Sequence, residues 1–236
     1  MTTRDYTGIY DPDTDFDRRY TDATAARIAE RVAPGQRVLE LGCATGLMTA
    51  ALAGAGARVT AIDRSDEYLA RARERVGERA VLLRAGLEEP GWEEAAGPGF
   101  DHVLACNLVH EMDDPVALLA RARSVLAPAG LVHLTLQNPD SIHRLVALEM
   151  GLIEDVRDIS ARGRRYGTLG LWTADELQGL ARDAGLGVVT REGVMLKPLP
   201  NAMMAELPPE VLDGFERAAR HLPGYCAMTY LVLSHG

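Results

Sequence analysis

Two hydrophobic periods alternate along the chain. Short, nearly continuous apolar runs fall at residues 37–41, 57–62, 80–84, 100–106, 131–136, 186–196 and 225–233. Runs of that length read as strands buried on both faces of a sheet. Between them, apolar residues recur at helical spacing. Residues 21–32 place Ile28 and Val32 one turn apart, with Thr21 or Asp22 as the cap. Ser65 caps a stretch that ends at Val76, with Leu69, Ala72 and Val76 facing inward. Further helices are predicted over 47–53, 114–126, 142–159 and 209–221, and behind the Thr173-Ala-Asp-Glu176 capping box up to Gly185. Pro34-Gly35 and Pro128-Ala-Gly130 punctuate the pattern, and residues 90–99 form a Pro/Gly-rich loop around a short amphipathic turn. This alternation predicts an α/β fold: a seven-stranded mixed sheet, helices on both faces, and helical insertions after strands 5 and 6.

The most informative stretch follows the first strand. Glu40-x-Gly42-x-Ala44-x-Gly46 joins a buried strand to a helix N-terminus through small residues. Gly42 permits a sharp turn, small Ala44 permits close approach of a ligand, and free N–H groups at a helix start favour electron-rich atoms. The spacing is not the Gly-x-Gly-x-x-Gly of dinucleotide enzymes. The second strand ends in Asp63, beside that turn, where a carboxylate can accept two hydrogen bonds from a ribose diol.

Turn, acid and strand ends in this order resemble class I S-adenosylmethionine-dependent methyltransferases of the small-molecule type, from about residue 30 to the C-terminus. The resemblance implies a Rossmann-like fold and S-adenosyl-L-methionine as cofactor. It implies a division of one domain, 1–236, into an N-terminal lid and helix (1–33), a cofactor-binding half (34–136) and a substrate-side half (137–236). It places the cofactor against Glu40, Gly42, Cys43, Ala44 and Gly46, with Asp63 and Arg64 at the ribose. Gly86, Leu87 and Glu88 fall at the adenine, although the family commonly has an aspartate at about position 86. Asn107 and Leu108 complete the set. Lone aromatics in the polar leader, Tyr6, Tyr10, Phe16 and Tyr20, suit a lid, and Tyr20 is the one expected to reach the cofactor.

Bulk properties narrow the partners. A net charge of −9 argues against nucleic acid or an anionic membrane surface. Lys197 is the lone lysine in an arginine-rich chain. Cys43, Cys106 and Cys226 lack metal or disulfide spacing and read as reduced core residues. The acidic start does not read as a signal peptide, and no apolar run nears membrane length. The expectation is a cytoplasmic protein, monomer or homodimer, acting on a small-molecule acceptor.

Methyl transfer from a sulfonium needs alignment, exclusion of water and, for a neutral nucleophile, removal of a proton. His110 lies four positions past the fourth strand, in Leu-Val-His-Glu-Met-Asp-Asp, and is similar to the segment whose histidine takes a hydroxyl proton in small-molecule O-methyltransferases. An imidazole is partly neutral at physiological pH, and Glu111 can orient it. The alternative is that His110 only caps or packs. His102 and His133 alternate with apolar residues and read as core-edge or surface positions. Gln137 and Asn138 stand where metal-dependent relatives have acids, so no metal is expected. His143, Arg144, Arg165 and Tyr166 are the substrate-binding candidates, within an arginine cluster (Arg162, Arg164, Arg165) suited either to solvent or to an anionic group. Asn107-Leu-Val-His110 replaces the Asn-Pro-Pro-aromatic loop used on adenines and amides. O-methylation in specialised biosynthesis, including that of antibiotics, is the leading reading. N- or C-methylation of a small molecule, or cofactor binding without catalysis, are the alternatives.

Overall fold

A computed structural model describes residues 9–236, so Tyr6 lies outside the described residues. In chain order the elements are α1 (Arg18–Ala29), β1 (Arg37–Leu41), α2 (Leu47–Gly54), β2 (Arg58–Asp63), α3 (Asp66–Val76), β3 (Ala80–Arg84), α4 (Trp92–Ala96), β4 (Phe100–Cys106) and α5 (Pro115–Ser124). They continue with β5 (Leu126–Gln137), α6 (Ile142–Glu149), α7 (Ala161–Arg165), α8 (Ala174–Asp183), β6 (Leu186–Leu196), α9 (Asn201–Met204), α10 (Pro209–Ala218) and β7 (Cys226–His235). The seven strands form a single sheet in the order β3-β2-β1-β4-β5-β7-β6. β1 to β5 pair in parallel, and β7 runs antiparallel between β5 and β6. This is a Rossmann-like mixed sheet. Its order reverses between β1 and β4, which opens a crevice at their carboxyl ends.

The apolar runs become strands because each is covered twice. Leu39, Leu41, Val103, Leu134 and Leu231 pack on one face with Leu118, Leu119 and Leu177. Val38, Val59, Leu104 and Tyr230 pack on the other with Ile28, Leu52 and Leu69. Local caps agree with the pattern: the Ser65 hydroxyl accepts from Tyr68 N–H, Asp114 accepts from Ala117 N–H, and Thr173 and Glu176 form the reciprocal box.

Four expectations are corrected. α1 starts at Arg18, not 21, because residues 14–20 already turn, with Arg18 N–H donating to Asp15 O and Tyr20 N–H to Asp17 O. The fifth strand starts at Leu126 and carries Pro128-Ala-Gly130 inside a register shift opposite Phe100 and His102. A side chain at Gly130 would come within 2.7 Å of the Phe100 carbonyl, so only glycine fits. The helix expected over 142–159 stops at Glu149. Gly151 takes φ +69 just beyond it, and the Arg144 guanidinium holds the return by donating to the Val156 and Asp158 carbonyls at 2.7 and 2.5 Å. Finally, His102 and His133 are fully buried. Gln36 Oε1, the two imidazoles and the Tyr230 hydroxyl form one chain with steps of 3.0, 2.9 and 2.7 Å. Burial holds both rings below the usual histidine range, His133 at about 3, so they tie β4, β5 and β7 together as neutral groups.

The turn after β1 is left-handed at three places: Gly42 (φ +74), Ala44 (φ +45) and Gly46 (φ +76). Beneath it, Glu40 is buried in the strand and accepts a 2.5 Å bond from the Thr49 hydroxyl of α2. Desolvation, and then the neighbouring Asp63 charge, push the Glu40 carboxyl up to about 8 despite that bond.

Two outcomes are expected. A methyl at Gly46 would lie 3.0 Å from Ala72 Cβ at a left-handed φ, so Gly46→Ala should cost ~2–4 kcal/mol in urea unfolding. A loss below ~1 kcal/mol would show that α2 and α3 separate freely. Because the folded Glu40 pKa lies above the unfolded one, its stabilising contribution is complete below about 4.5 and is lost as pH rises to about 8. Glu40→Gln should therefore flatten the fall in stability of the ligand-free protein across that window. An unchanged pH profile would exclude Glu40 as its source.

Candidate active site

β1 delivers Gly42 to the crevice, and β4 delivers Asn107 and Leu108 to its other wall. A side chain at Gly42 would lie 3.2 Å from Leu108 Cδ1, so the two walls touch there. Asn107 itself takes φ +50 and donates its N–H to the Thr135 carbonyl of β5 at 2.8 Å. The strained residue anchors the start of the β4 loop to the next strand.

Asp63 closes the turn from β2. Its Oδ2 accepts from Ala44 N–H at 2.8 Å and its Oδ1 from Ser65 N–H at 2.9 Å. Burial raises its pKa, and the backbone bonds and Arg64 pull it down against that. A carboxylate has about four acceptor positions, so two remain for a ligand's hydroxyls. The start of α2 has no side-chain cap, which leaves its first N–H groups for a ligand or water. Asp63 adds negative potential beside the turn, whereas Glu40, pushed up to about 8, is mostly protonated near neutrality. A cradle that a Cβ would fill, two spare carboxylate positions and an uncapped helix start fit an adenosyl ligand that carries a sulfonium. Among the described residues Gly86, Leu87 and Glu88 follow β3. Leu87 is buried, and Glu88 accepts from Asp113 N–H at 3.1 Å beside a cleft of about 150 Å³ between the β3 loop and α5. The cleft walls include Leu87, Met112 and Arg121.

His110 lies in a single 3-10 turn after β4 and is only 4% exposed. Its Nδ1 is sealed from solvent and has no hydrogen-bond partner, and its Nε2 lies 3.7 Å from Glu111 Oε1. Burial pushes the imidazole down to about 4, so it is neutral at physiological pH.

The N-terminal segment crosses over the turn. Asp13 accepts from the Thr45 hydroxyl at 3.0 Å and pairs with Arg71 and Arg75 of α3 at 2.5 and 2.8 Å. Tyr10 offers its carbonyl to the Tyr68 hydroxyl at 2.8 Å and packs its ring 5.2 Å from Tyr166. Arg162 lies over both rings and pairs with Asp15 and Asp17, each at 2.9 Å. Tyr20 points to the β6 side, where its hydroxyl donates to Asn201 Oδ1 at 3.0 Å. Asn201 in turn donates to Asp17 at 2.9 Å.

The expected substrate residues therefore divide. Tyr166 lies under the N-terminal segment, with the Arg165 guanidinium 6.0 Å above its ring, and Arg164 is bound to the Ile159 carbonyl. Arg144 donates to backbone carbonyls from Nε and one of its two terminal nitrogens, and His143 Nδ1 lies 3.1 Å from the Ser141 hydroxyl. Sequence reasoning missed Asn201, the carboxylate clamp from Asp11 and Asp13 to α3, and the surroundings of Lys197. The one signal available was a single lysine where every other long cation is arginine. The cysteines are unpaired, and among the described residues no His/Cys/Asp/Glu group has metal-binding geometry.

Comparison with known proteins agrees with this geometry. Residues 14–191 match the family described as methyltransferase domain. Ubiquinone biosynthesis O-methyltransferase of Thiobacillus denitrificans (strain ATCC 25259 / T1) is 30% identical over 178 residues, 75% of this chain and 75% of that protein. The protein of the same name from Xanthomonas campestris pv. campestris (strain B100) is 36% identical over 118 residues, 50% of this chain and 48% of that one. The chain thus spans about half the length of the first curated relatives it matches. Among solved structures, Burkholderia thailandensis 1,6-didemethyltoxoflavin-N1-methyltransferase with bound 1,6-didemethyltoxoflavin and S-adenosylhomocysteine superposes with a TM-score of 0.61 at 19% identity, covering 91% of this chain and 77% of that one. From the matched domain, the sheet order and the turn–acid pair, the chain belongs to the class I S-adenosylmethionine-dependent methyltransferases.

Proposed function

We propose that this protein transfers the methyl group of S-adenosyl-L-methionine to an oxygen of a small-molecule acceptor in specialised biosynthesis, with His110 as general base. The observation that carries the proposal is a buried, neutral imidazole with an unpartnered Nδ1, held two residues beyond the Leu108 that touches the cofactor turn. The names of the two curated relatives, both O-methyltransferases, support oxygen as the acceptor atom. The acidic chain favours a small acceptor over nucleic acid. Among the described residues no helix is long and apolar enough to cross a membrane, in keeping with work in the cytoplasm.

In this reading the bound cofactor supplies an electrophilic methyl whose transfer is downhill. Gly42 to Gly46 and the start of α2 hold its amino-acid end, with Asp63 on the ribose and Leu87 against the adenine. The segment from Tyr10 to Asp17 is the lid that excludes water. His110 takes the acceptor's proton as the new C–O bond forms. The acceptor oxygen becomes acidic in that step, so a base of low pKa suffices. Glu111, 3.7 Å from Nε2, steadies the ring and balances the charge it gains.

Replacing Asp63 by alanine should weaken S-adenosylhomocysteine binding at least tenfold in calorimetry, since each charged hydrogen bond lost is worth about 1.5–3 kcal/mol. An unchanged affinity would remove Asp63 from the ribose. His110→Ala should lower kcat about 10²–10⁴-fold while S-adenosylhomocysteine affinity stays within about threefold. The neutral ring is present above its pKa, so kcat/KM should be level near neutrality and fall only as pH drops toward about 4. A loss of rate under threefold would reduce His110 to packing.

A further inference from the structure

The lone lysine of the chain has an unusual setting. Lys197 follows β6 at the same sheet edge as the ends of β1 and β4, because β6 runs parallel to them through antiparallel β7. It is only 9% exposed. Among the described residues its side chain makes no hydrogen bond and no ion pair. The sealed unpartnered side-chain atoms are Trp92 Nε1, His110 Nδ1 and Glu216 Oε2. The Lys197 ammonium is not among them and keeps some contact with solvent.

The charged groups around it do not compensate it. Asp17, Arg162 and Arg144 are the charges that act on Lys197, and Lys197 and Arg144 act in turn on His143. Asp17 is shared by Arg162 and by the Asn201 amide, and Asp15 is taken by Arg162 as well. Arg144 leans on Asp155 and Asp158. Lys197 has no acid of its own. An ammonium withdrawn from water without a partner is costly, and a ligand anion removes that cost. Burial and the two arginines draw the group down to about 8, which leaves it mostly charged at neutral pH. Burial and then the Lys197 and Arg144 charges push His143 down to about 3, so that imidazole, with Nδ1 against the Ser141 hydroxyl, is neutral and adds no repulsion.

We infer that Lys197, with Arg144 and His143, forms an anion subsite for the acceptor, which therefore carries a carboxylate or phosphate remote from the atom that is methylated. The inference rests on the methyltransferase reading and fixes a dimension of its acceptor. β4, which positions His110, and β6, which positions Lys197, are separated by three strand spacings, about 14 Å. Allowing for the reach of the lysine side chain, the anionic group lies roughly 8–14 Å from the nucleophile. An elongated acid fits, and a small compact neutral acceptor does not.

A single lysine makes the test direct. Protein grown with ¹³C-lysine carries a single set of lysine side-chain resonances, and the ε-methylene signal, followed against pH in the complex with S-adenosylhomocysteine, reports Lys197 alone. Benzoate and inorganic phosphate are the two anionic probes, and benzamide is the uncharged match. The expected result is a midpoint near 8 that rises by at least half a pH unit, about threefold in proton affinity, with millimolar benzoate or phosphate and not with benzamide. Response to benzoate alone marks a carboxylate subsite, and response to phosphate alone marks a phosphate subsite. In Lys197→Met, the thermal shift given by the effective anion should disappear while S-adenosylhomocysteine affinity stays within about twofold. A resonance indifferent to both anions, or equally moved by benzamide, overturns the subsite even if that variant does not fold. Failure of S-adenosylhomocysteine itself to bind would instead overturn the methyltransferase reading.

Discussion

The carboxylate of Asp63 couples the two halves of the proposed cofactor site. One oxygen restrains the left-handed Ala44, and the other restrains Ser65 at the start of α3. An alanine at φ +45 carries a cost of about 1–2 kcal/mol that a glycine would not. The Asp63 bond offsets part of it and fixes where the Ala44 backbone stands. The group proposed to grip the ribose is therefore also the one that shapes the loop proposed to grip the methionine. Position and affinity are set by one side chain, so substitutions there act through both.

The carboxylates of the N-terminal segment extend the same coupling outward. Asp13 binds Thr45 of the turn and two arginines of α3, and Asp15 and Asp17 bind Arg162 of α7. Exposed ion pairs add little singly. These are half-buried and share partners, and they bring residues far apart in sequence to one side of the crevice. The tyrosine rings of Tyr10 and Tyr166 fill the space between them. Ordering this segment costs backbone entropy, which the network offsets only when turn, α3 and α7 are all in place.

Much of the fold was legible because it depends on local rules. Strands β3, β4 and β6 were readable to the residue, since an apolar run buried on both faces leaves little room for error in type. Ser65 and Thr173 announced their helices through capping chemistry that acts within four residues. That Asp63 stands beside the Gly42–Gly46 turn was readable as well, because adjacent parallel strands bring their carboxyl ends together. The misses share a cause: they depend on contacts distant in sequence. His102 and His133 alternate with apolar residues like any edge position, and only Tyr230, 97 residues beyond His133, makes them a buried pair. Pro128 and Gly130 look like a stop signal, and they are instead accommodated by a bulge against Phe100. The partner of the Tyr20 hydroxyl, Asn201, lies 181 residues away and has no local signal.

The distribution of charge along the crevice gives the proposed site a direction. Asp63 supplies the carboxylate of the β1–β2 end, the end proposed to receive a sulfonium and an ammonium. At the β6 end Lys197 is a cation with no acid of its own, while Arg162 is matched by Asp15 and Asp17. His110 lies between the two, neutral and desolvated. An acceptor with an acid at one end would enter with a fixed polarity. Its anion would be drawn to β6, and its nucleophile would be left facing β4. Such steering acts before any short-range contact and weakens with salt. It aligns the reacting oxygen by means of a charge that takes no part in the reaction, which is how remote binding energy lowers a barrier that consists chiefly of orientation.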